Sequence, residues 1–372
     1  MHASGPPVSP TGSLALAAGK PGGGELVIVL PVHDDWEACA LVLGKIAAVL
    51  DEMGRRAGIL IIDDGSNRAL PPDFPGPGAA NSTFGAIDTV EVMRLRRNLG
   101  NQRAICVALA YLAAERPGVN ALLMDSDGED DPAEIPRLLG RFDAEGGRSL
   151  VFGERTKRSE GGLFRLGYLV YRALFRVLVG VRVRFGNFSV LGPAHVQTLS
   201  AVPDLWNHYA AAVVSSGLPF VTEPTSRAPR LAGDSQMNLV SLTVHGLSAL
   251  AAFSDRIGVR ALLVAFVGLC GLGLSIVAVI SARLFTDAGI PGWATFTIAI
   301  IVLLGVQIVS LIFAFCFTIL AGRNAGTFLP ARDFRYFVGG ITRTWQTPGT
   351  AQVSGGEAPA AGPDAGGATK RR

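Results

Sequence analysis

Short apolar runs alternate with helical patterns along residues 25–153. The runs have the length and the Val, Ile and Leu content of buried strands, whereas Leu and Ala recur between them at helical spacing. Strands are predicted over 25–32, 58–62, 90–95, 121–124 and 150–153, and helices over 37–53, 102–114 and 132–142. This alternation predicts an α/β domain with a mostly parallel sheet, in which ligands bind beyond the carboxyl ends of the strands.

Two longer apolar runs follow, over 261–282 and 295–321, and neither contains a charged residue. Each reaches the length of about 20 residues that a membrane-spanning helix needs. Buried helices of soluble proteins seldom lack charge over such a distance. The connection between the runs is short and contains Gly289, Pro291 and Gly292. We therefore expect a transmembrane hairpin.

The flanking charges predict how this hairpin is oriented. The arginines that flank the two runs are Arg256, Arg260, Arg323, Arg332 and Arg335, whereas the connection holds only Arg283. Positive residues remain on the cytoplasmic side. The first 24 residues lack the apolar core of a secretory signal. We therefore expect both termini and the α/β domain in the cytoplasm, with the connection outside.

Composition agrees with a domain joined to a membrane segment. The 372 residues are 49% hydrophobic and 17% charged, against about 25% charged in soluble domains, and the mean hydropathy is +0.38. A formal net charge of +3 gives no bulk signal for nucleic-acid binding. The four cysteines are far apart, without metal-site or disulfide spacing, and fit a reducing compartment.

These patterns divide the chain into six predicted segments. They are low-complexity disordered tails at 1–24 and 346–372, the α/β domain at 25–236, an interfacial juxtamembrane helix at 237–260, the membrane hairpin at 261–321, and a cytosolic segment at 322–345. A second amphipathic stretch, 163–183, has arginines among large apolar residues. It is either an interfacial helix near anionic headgroups or a helix packed on the domain.

Acidic residues gather where two of the predicted strands end. Asp63 and Asp64 follow the second strand, and five acids occupy the seven positions 125–131 after the fourth. Such charges repel one another, and a hard divalent cation with oxygen ligands removes that cost. Gly128 allows a sharp turn there. The alternative is a solvated turn whose acids cap the next helix.

Seven segments together resemble a known family. They are VLPVHDD (29–35), IIDDGS (61–66), RRNLGNQRAI (96–105), MDSDGEDDP (124–132), FGERTKR (152–158), FGNFSV (185–190) and RLAGDSQM (230–237). In this order and spacing they resemble the family 2 glycosyltransferases of the Rossmann-like GT-A fold. The resemblance covers about 25–255 and is strongest to the polyprenyl-phosphate glycosyltransferases of the dolichyl-phosphate-mannose-synthase-like branch.

The resemblance implies a UDP- or GDP-linked sugar donor, Mg²⁺ or Mn²⁺, and a polyprenyl phosphate acceptor in the membrane. The implied nucleotide-sugar ligands are Pro31, His33, Asp35, Asp64, Asp125 and Asp127, of which Asp125 and Asp127 also hold the metal. The implied catalytic residues are Asp127, Asn187 and Arg230. The implied acceptor and phosphate contacts are Arg155, Lys157, Arg158, Arg230 and Ser235.

Several of these residues keep a second interpretation. Asp64 is either a nucleotide contact or a turn acid that caps backbone N–H groups, and His33 is more easily explained as a half-buried structural residue. The basic loop 155–158 is either a phosphate site or a solvated loop. Three sites depart from the family pattern. Asp34 and Asp35 stand where the family commonly has Asn-Glu. Asn187 stands where the family often has an aspartate, and Gln236 where it has a lysine.

The substitution at position 187 bears on the acceptor. An amide cannot take up a proton at neutral pH, so Asn187 can only orient a group. A phosphate monoester, whose second pKa is about 6, is already a nucleophile and needs no strong base. The sequence therefore favours a lipid phosphate as the nucleophile. The resemblance implies that it attacks the anomeric carbon of the sugar in line and inverts its configuration, while the nucleoside diphosphate leaves.

Two other hypotheses remain open at the level of sequence. One is a transferase with a different membrane acceptor, such as a diacylglycerol or a growing glycan. The other is a membrane-anchored protein that binds nucleotide sugars without catalysis. The resemblance also implies a homo-oligomer through the membrane hairpin. Gly268, Gly271 and Gly273 permit the close helix contact that this needs, although the same residues can serve packing within the hairpin.

Overall fold

The computed structural model describes residues 24–75, 84–155, 180, 185–233, 248, 251–286, 292–324 and 328–347. The predicted tails lie almost entirely outside these residues, as do the amphipathic stretch 163–183 apart from position 180 and most of 237–250. Lys157, Arg158, Ser235 and Gln236 also lie outside them.

Eight strands form one sheet. They are β1 (Leu26–Val32), β2 (Ala57–Asp63), β3 (Ile87–Leu95), β4 (Asn120–Leu123), β5 (Leu150–Arg155), β6 (Phe185–Leu191), β7 (Phe220–Thr225) and β8 (Val338–Gln346). Their spatial order is β7-β5-β6-β4-β1-β2-β3-β8. β1 pairs in parallel with β2 and β4, β2 with β3, and β5 with β7. β6 and β8 run antiparallel to their neighbours.

Eight α-helices accompany the sheet. They are α1 (Trp36–Met53), α2 (Asn101–Glu115), α3 (Ile135–Ala144), α4 (Pro193–Ser200), α5 (Tyr209–Ser215), α6 (Ser254–Phe285), α7 (Trp293–Asn324) and α8 (Pro330–Asp333). Short 3₁₀ turns occupy Pro132–Glu134, Pro203–Trp206 and Phe334–Tyr336. The predicted fold class, a Rossmann-like α/β domain with a mostly parallel sheet and two C-terminal apolar helices, is confirmed.

The two faces of the sheet each bury an apolar cluster. Alternate residues of β1 point to opposite faces, so that Val27 and Val29 pack with α2 and α5, whereas Ile28 and Leu30 pack with α1 and α3. β2 is buried along its whole length. Strands covered on both faces read as continuous apolar runs, and this is why they are visible in the sequence.

The chain returns to the domain after the second apolar helix. β8 pairs antiparallel with β3 and completes the edge of the sheet. Before β8, the rings of Phe328 and Phe337 pack on Trp206 with centroids 4.0 and 4.8 Å away. The C-terminal segment is thus part of the α/β domain. The domain predicted from the sequence, 25–236, does not include this segment.

A buried carboxylate fastens this returning strand. Glu91 lies in β3, and only 6% of its side chain is exposed. Its Oε1 accepts from Arg343 of β8 at 2.9 Å, and its Oε2 accepts from Arg116, just beyond α2. One acid therefore joins the edge strand, its neighbour and the end of a helix.

The apolar helices pack against each other and against no other described part of the chain along their central turns. The segments Arg256–Phe285 and Trp293–Thr318 are long and apolar enough to cross a membrane, with mean hydropathies of 2.7 and 2.8. A Cβ on Gly305 would lie 3.9 Å from both Leu269 and Leu272. Gly305 of α7 and the two leucines of α6 are separated from the short connection by similar numbers of residues. The two helices therefore run antiparallel, as a hairpin.

Glutamine in place of Glu91 is expected to lower the free energy of unfolding by about 1–3 kcal/mol, because buried hydrogen bonds to charged groups are lost. Thermal unfolding of the full chain in detergent measures this change. Asp143→Asn is the control, since its 2.9 Å pair with Arg55 is exposed and contributes under about 1 kcal/mol. Equal changes in Tm for the two variants would contradict the role assigned to Glu91.

Candidate active site

The loops after β1, β2 and β4 meet at one edge of the sheet. Ser126, just after β4, donates its hydroxyl to the carbonyl oxygen of Pro31 in β1 at 2.6 Å. The backbone N–H of Asp64, after β2, donates to the carbonyl of Val32 at 2.8 Å. These bonds tie the three loops together, so that residues about 90 positions apart in the chain face the same space.

Asp64 is used to support the loop before α2. Its Oδ1 accepts from the N–H of Leu99 at 2.7 Å, and its Oδ2 accepts from the N–H of Gly100 at 2.8 Å. Burial raises the pKa of Asp64, whereas these two N–H groups lower it. Both carboxylate oxygens are engaged, and the geometry favours the turn-acid interpretation over a nucleotide contact.

Gly65 has a geometry that requires glycine. Its φ is +65°, and a Cβ there would lie 2.5 Å from backbone atoms of Arg97 and Asn98. This close approach brings the loop after β2 against the loop before α2. It thereby sets the distance at which Asp64 meets its two N–H donors.

His33 lies among the same loops. Its Nδ1 is 3.0 Å from the carbonyl oxygen of Asp64, and its Nε2 is 3.1 Å from the amide nitrogen of Asn98. The ring therefore bridges two loops, which agrees with the structural interpretation of this histidine. The adjacent Asp34 has a φ of +56° and accepts from the N–H of Arg68, and this bond lowers the pKa of Asp34.

The acidic loop after β4 is held by a distant segment. The N–H groups of Ala228 and Leu231 donate to the carbonyls of Glu129 and Asp127 at 3.1 and 3.0 Å. Gly128 has a φ of +85°, and a Cβ there would lie 2.6 Å from Cγ of Leu231. The predicted glycine turn therefore exists, and a leucine fills the place that a side chain at 128 would need.

Arg230 connects two of the predicted site aspartates. Its Nη1 donates to Oδ2 of Asp127 at 3.0 Å, and its Nη2 pairs with Asp35. Burial raises the pKa of Asp127, as do the charges of Asp125 and Glu129, whereas the N–H of Glu129 and the charge of Arg230 lower it. Among the described residues, four carboxylates (Asp35, Asp125, Asp127 and Glu129) meet the guanidinium groups of Arg230 and Arg227, and such an excess of negative charge suits a cation.

The donor set fits a hard divalent cation. Asp125 and Asp127 provide carboxylate oxygens close enough for their charges to interact, and Mg²⁺ typically takes one or two carboxylates and completes its shell with phosphates and water. Among the described residues no group of three or more His, Cys, Asp or Glu side chains is arranged to hold a metal. The protein side of such a site would therefore consist of these two aspartates.

Asn187 joins the same site from β6. Its Nδ2 lies 3.4 Å from Oδ1 of Asp125, and its Oδ1 accepts from Gln102 at 2.9 Å. Asn101 donates to the same Asp125 oxygen at 3.1 Å. The predicted residues thus form two contacting groups, Asp35–Arg230–Asp127 and Asp125–Asn187, and the charge of Asp125 acts on Asp127. Arg155 is the last residue of β5.

The sequence interpretation missed the roles of Asn101 and Gln102. Both occupy the first turn of α2 and belong to the segment RRNLGNQRAI that carries part of the resemblance. The signal available was a pair of amides directly after a glycine at the start of a helix. The contact of Gln102 depends on the position of β6, which the sequence pattern did not predict, whereas Asn101 contacts Asp125 of the predicted acidic run.

Comparison with known proteins identifies relatives with a lipid-linked reaction. The chain is 27% identical over 138 residues to the undecaprenyl-phosphate 4-deoxy-4-formamido-L-arabinose transferase of Salmonella paratyphi A, covering 37% of this chain and 38% of that protein. It is 25% identical over 228 residues to the protein of the same name from Edwardsiella ictaluri, covering 58% and 63%. The matches span less than two thirds of these relatives. The predicted resemblance to polyprenyl-phosphate glycosyltransferases is confirmed.

Solved structures include a weaker likeness. Glucosyl-3-phosphoglycerate synthase from Mycobacterium tuberculosis, in complex with Mg²⁺ and uridine diphosphate, is 18% identical, with a TM-score of 0.44 over 65% of this chain and 82% of that one. No family model matches the sequence.

Asparagine in place of Asp64 is expected to lower the free energy of unfolding by about 1–3 kcal/mol, because one of the two N–H donors loses its acceptor and faces an amide nitrogen. Thermal unfolding of the full chain measures this loss. The control Asp51→Asn removes an exposed carboxylate of α1 and should change stability by less than about 0.5 kcal/mol. An unchanged Tm for Asp64→Asn would argue against the capping role.

Proposed function

We propose that the chain is a membrane-anchored, inverting glycosyltransferase that moves a sugar from a UDP- or GDP-linked donor to polyprenyl phosphate. The observation that carries the proposal is the bridge of Arg230 between Asp35 and Asp127, beside Asp125, at the carboxyl ends of the parallel strands. Ligands of such sheets bind at this edge. The relatives, whose names specify undecaprenyl phosphate, support the acceptor class.

The carboxylates and the arginine have separate roles in this proposal. Asp125 and Asp127 would hold Mg²⁺ or Mn²⁺, and an ion bound there would supply positive charge that stabilises the departing diphosphate. Arg230 is anchored by Asp35 and by its own Nε, which donates to the carbonyl of Ala232 at 2.9 Å. It keeps Asp127 oriented and places a fixed positive charge near the leaving group.

The nucleotide occupies the side of the site formed after β1. A cavity of about 280 Å³ is lined there by residues that include Asp34, Asp35, Trp36 and Arg68. The exposed carbonyl and carboxylate groups of this region suit the hydroxyls of a nucleoside. Pro31 and His33 contribute by shaping the adjoining loops, since both are held there by hydrogen bonds.

The membrane hairpin places this site beside the lipid surface. Because the helices run antiparallel, the start of α6 and the end of α7 lie on one side, and β8 attaches the domain on that side. The arginines that flank these two ends favour the cytoplasmic face for both ends and for the domain. A lipid phosphate at that face is then within the same layer as the arginine-rich helix ends. A homo-oligomer through the hairpin glycines remains a prediction.

Asparagine in place of Asp127 is expected to lower transfer by about 10²–10³-fold, because charge stabilisation at the leaving diphosphate is lost. Full-length protein in detergent is incubated with Mg²⁺, polyprenyl phosphate and a panel of labelled UDP- and GDP-sugars, and the lipid-linked product is counted. The control is Asp131→Asn, in the same acidic run, since asparagine still caps the N–H of Ala133. Equal product from Asp127→Asn and wild type would contradict the assignment.

The acceptor is tested in the same assay. Polyprenyl phosphate and diacylglycerol are supplied separately, and we expect product with the phosphate. Product with diacylglycerol alone would favour the other membrane acceptor. Nucleotide-sugar binding without product from any pair would favour the non-catalytic binding protein.

A further inference from the structure

One backbone N–H determines how two side-chain amides are oriented beside Asp125. The N–H of Tyr209, at the start of α5, lies 2.8 Å from Oε1 of Gln102. It belongs to the first turn of a helix, where N–H groups lack partners within the helix. Because a backbone N–H can only donate, the oxygen of the Gln102 amide faces Tyr209 and its nitrogen faces the other way.

The nitrogen of Gln102 then orients Asn187. It lies 2.9 Å from Oδ1 of Asn187 and donates to that oxygen. The nitrogen of the Asn187 amide is left to face Asp125, with Nδ2 3.4 Å from its Oδ1. The chain of donors thus runs in one direction, from a buried helix start to a carboxylate of the site.

Tyr209 also holds the backbone of Asn187. The hydroxyl of Ser189 donates to the Asn187 carbonyl at 2.8 Å and lies 2.8 Å from the hydroxyl of Tyr209. The serine proton is used in the first bond, so the tyrosine hydroxyl donates in the second. Tyr209 and Ser189 are fully buried, and Asn187 is therefore anchored at both its backbone and its side chain.

From this arrangement we infer that Gln102 is a positioning residue, which turns the Asn187 amide so that its nitrogen donates to Asp125 and its oxygen faces Gln102. The donated bond fixes the orientation of a carboxylate that the proposed function assigns to the metal. The inference rests on the proposed function for the reaction, and it specifies what position 187 does in it.

The orientation has a consequence for the substrate. With its oxygen turned to Gln102 and no group that takes up a proton at neutral pH, the Asn187 amide offers an incoming nucleophile no base. A neutral hydroxyl needs such a group to lose its proton, whereas a phosphate monoester with a second pKa of about 6 arrives ionised. The amide chain thus selects acceptors that carry their own negative charge.

The test is Gln102→Glu. Glutamate keeps the size of the side chain and still accepts from Tyr209, but it cannot donate to Asn187. The Asn187 amide then turns its nitrogen to Glu and its oxygen to Asp125. The matched control is Gln197→Glu. Gln197 of α4 also loses a donated bond in this change, since it donates at 2.6 Å to the carbonyl of Ala113. Ala113 lies near the end of α2, whereas Gln102 lies at its start, beside Asn187.

Two readouts are measured on the full chain in detergent. Binding of Mn²⁺ in the presence of UDP or GDP is followed by the electron paramagnetic resonance signal of the free ion, and transfer to polyprenyl phosphate gives kcat and KM. We expect Gln102→Glu to weaken Mn²⁺ binding and to lower kcat, each about 10-fold as is typical when a group that orients a metal ligand is changed. The KM for the lipid and the Tm should stay near those of the wild type and of Gln197→Glu.

Each alternative result has a defined meaning. Unchanged Mn²⁺ binding and kcat in Gln102→Glu would overturn the inference, as would a wild-type chain that binds no Mn²⁺. Higher turnover in Asn187→Asp would also overturn it, since that change removes the donor and adds charge beside Asp125. If Gln102→Glu fails to fold, Gln102→Met carries the same expectations for Mn²⁺ binding and kcat, since methionine also cannot donate to Asn187, but its Tm should fall because the N–H of Tyr209 loses its acceptor. Mn²⁺ binding that depends on Gln102 without any transfer would refute the proposed function and leave the inference standing.

Discussion

The excess of carboxylates at one edge of the sheet constrains the rest of the molecule. Asp35, Asp125 and Asp127 come from the ends of two parallel strands, and partial burial makes their mutual repulsion more costly than it would be in water. Arg230 offsets part of this charge and leaves the remainder available for a cation. The electrostatic energy of such a site is unfavourable when the site is empty and favourable when a metal diphosphate is bound. Stabilisation of the leaving group depends on this difference in energy.

Two loops far apart in the chain are needed to hold that charge in place. The segment 227–231 hydrogen-bonds the acidic loop through backbone groups and brings Arg230 to Asp127. On the opposite side, Asn101 and Asn187 donate to Asp125. Asp127 is therefore paired with the formal charge of Arg230, whereas Asp125 accepts hydrogen bonds from two side-chain amides. Two residues of one acidic run are thus held by segments from different parts of the chain.

The membrane hairpin is inserted into the domain rather than appended to it. β8 follows both apolar helices and closes the edge of the sheet, with Arg343 fixed on the buried Glu91. Because the chain enters and leaves the hairpin on the domain side, the sheet and the lipid surface are connected at two points. A domain joined to the membrane by two covalent connections rotates less freely than one joined by a single linker, and this suits the proposed acceptor in the bilayer.

Local pattern determined much of this structure in advance. The buried strands β1, β2 and β4, the helices α1 to α3 and the two apolar helices were all predicted, because continuous apolar runs and helical periodicity are local signals. The acidic residues at strand ends located the candidate site for the same reason.

β8 was not predicted, since its exposed, glycine-containing sequence is stabilised by pairing with β3 and not by its own pattern. Asp64 could not be assigned between nucleotide contact and turn acid until the N–H groups of Leu99 and Gly100 were placed. The direction of the Asn187 amide likewise depended on Tyr209, which is distant in sequence. Sequence alone thus determined which residues carry charge and where strands end, whereas tertiary contacts decided which oxygen and which nitrogen face each other, because hydrogen-bond direction is a property of the partner and not of the residue.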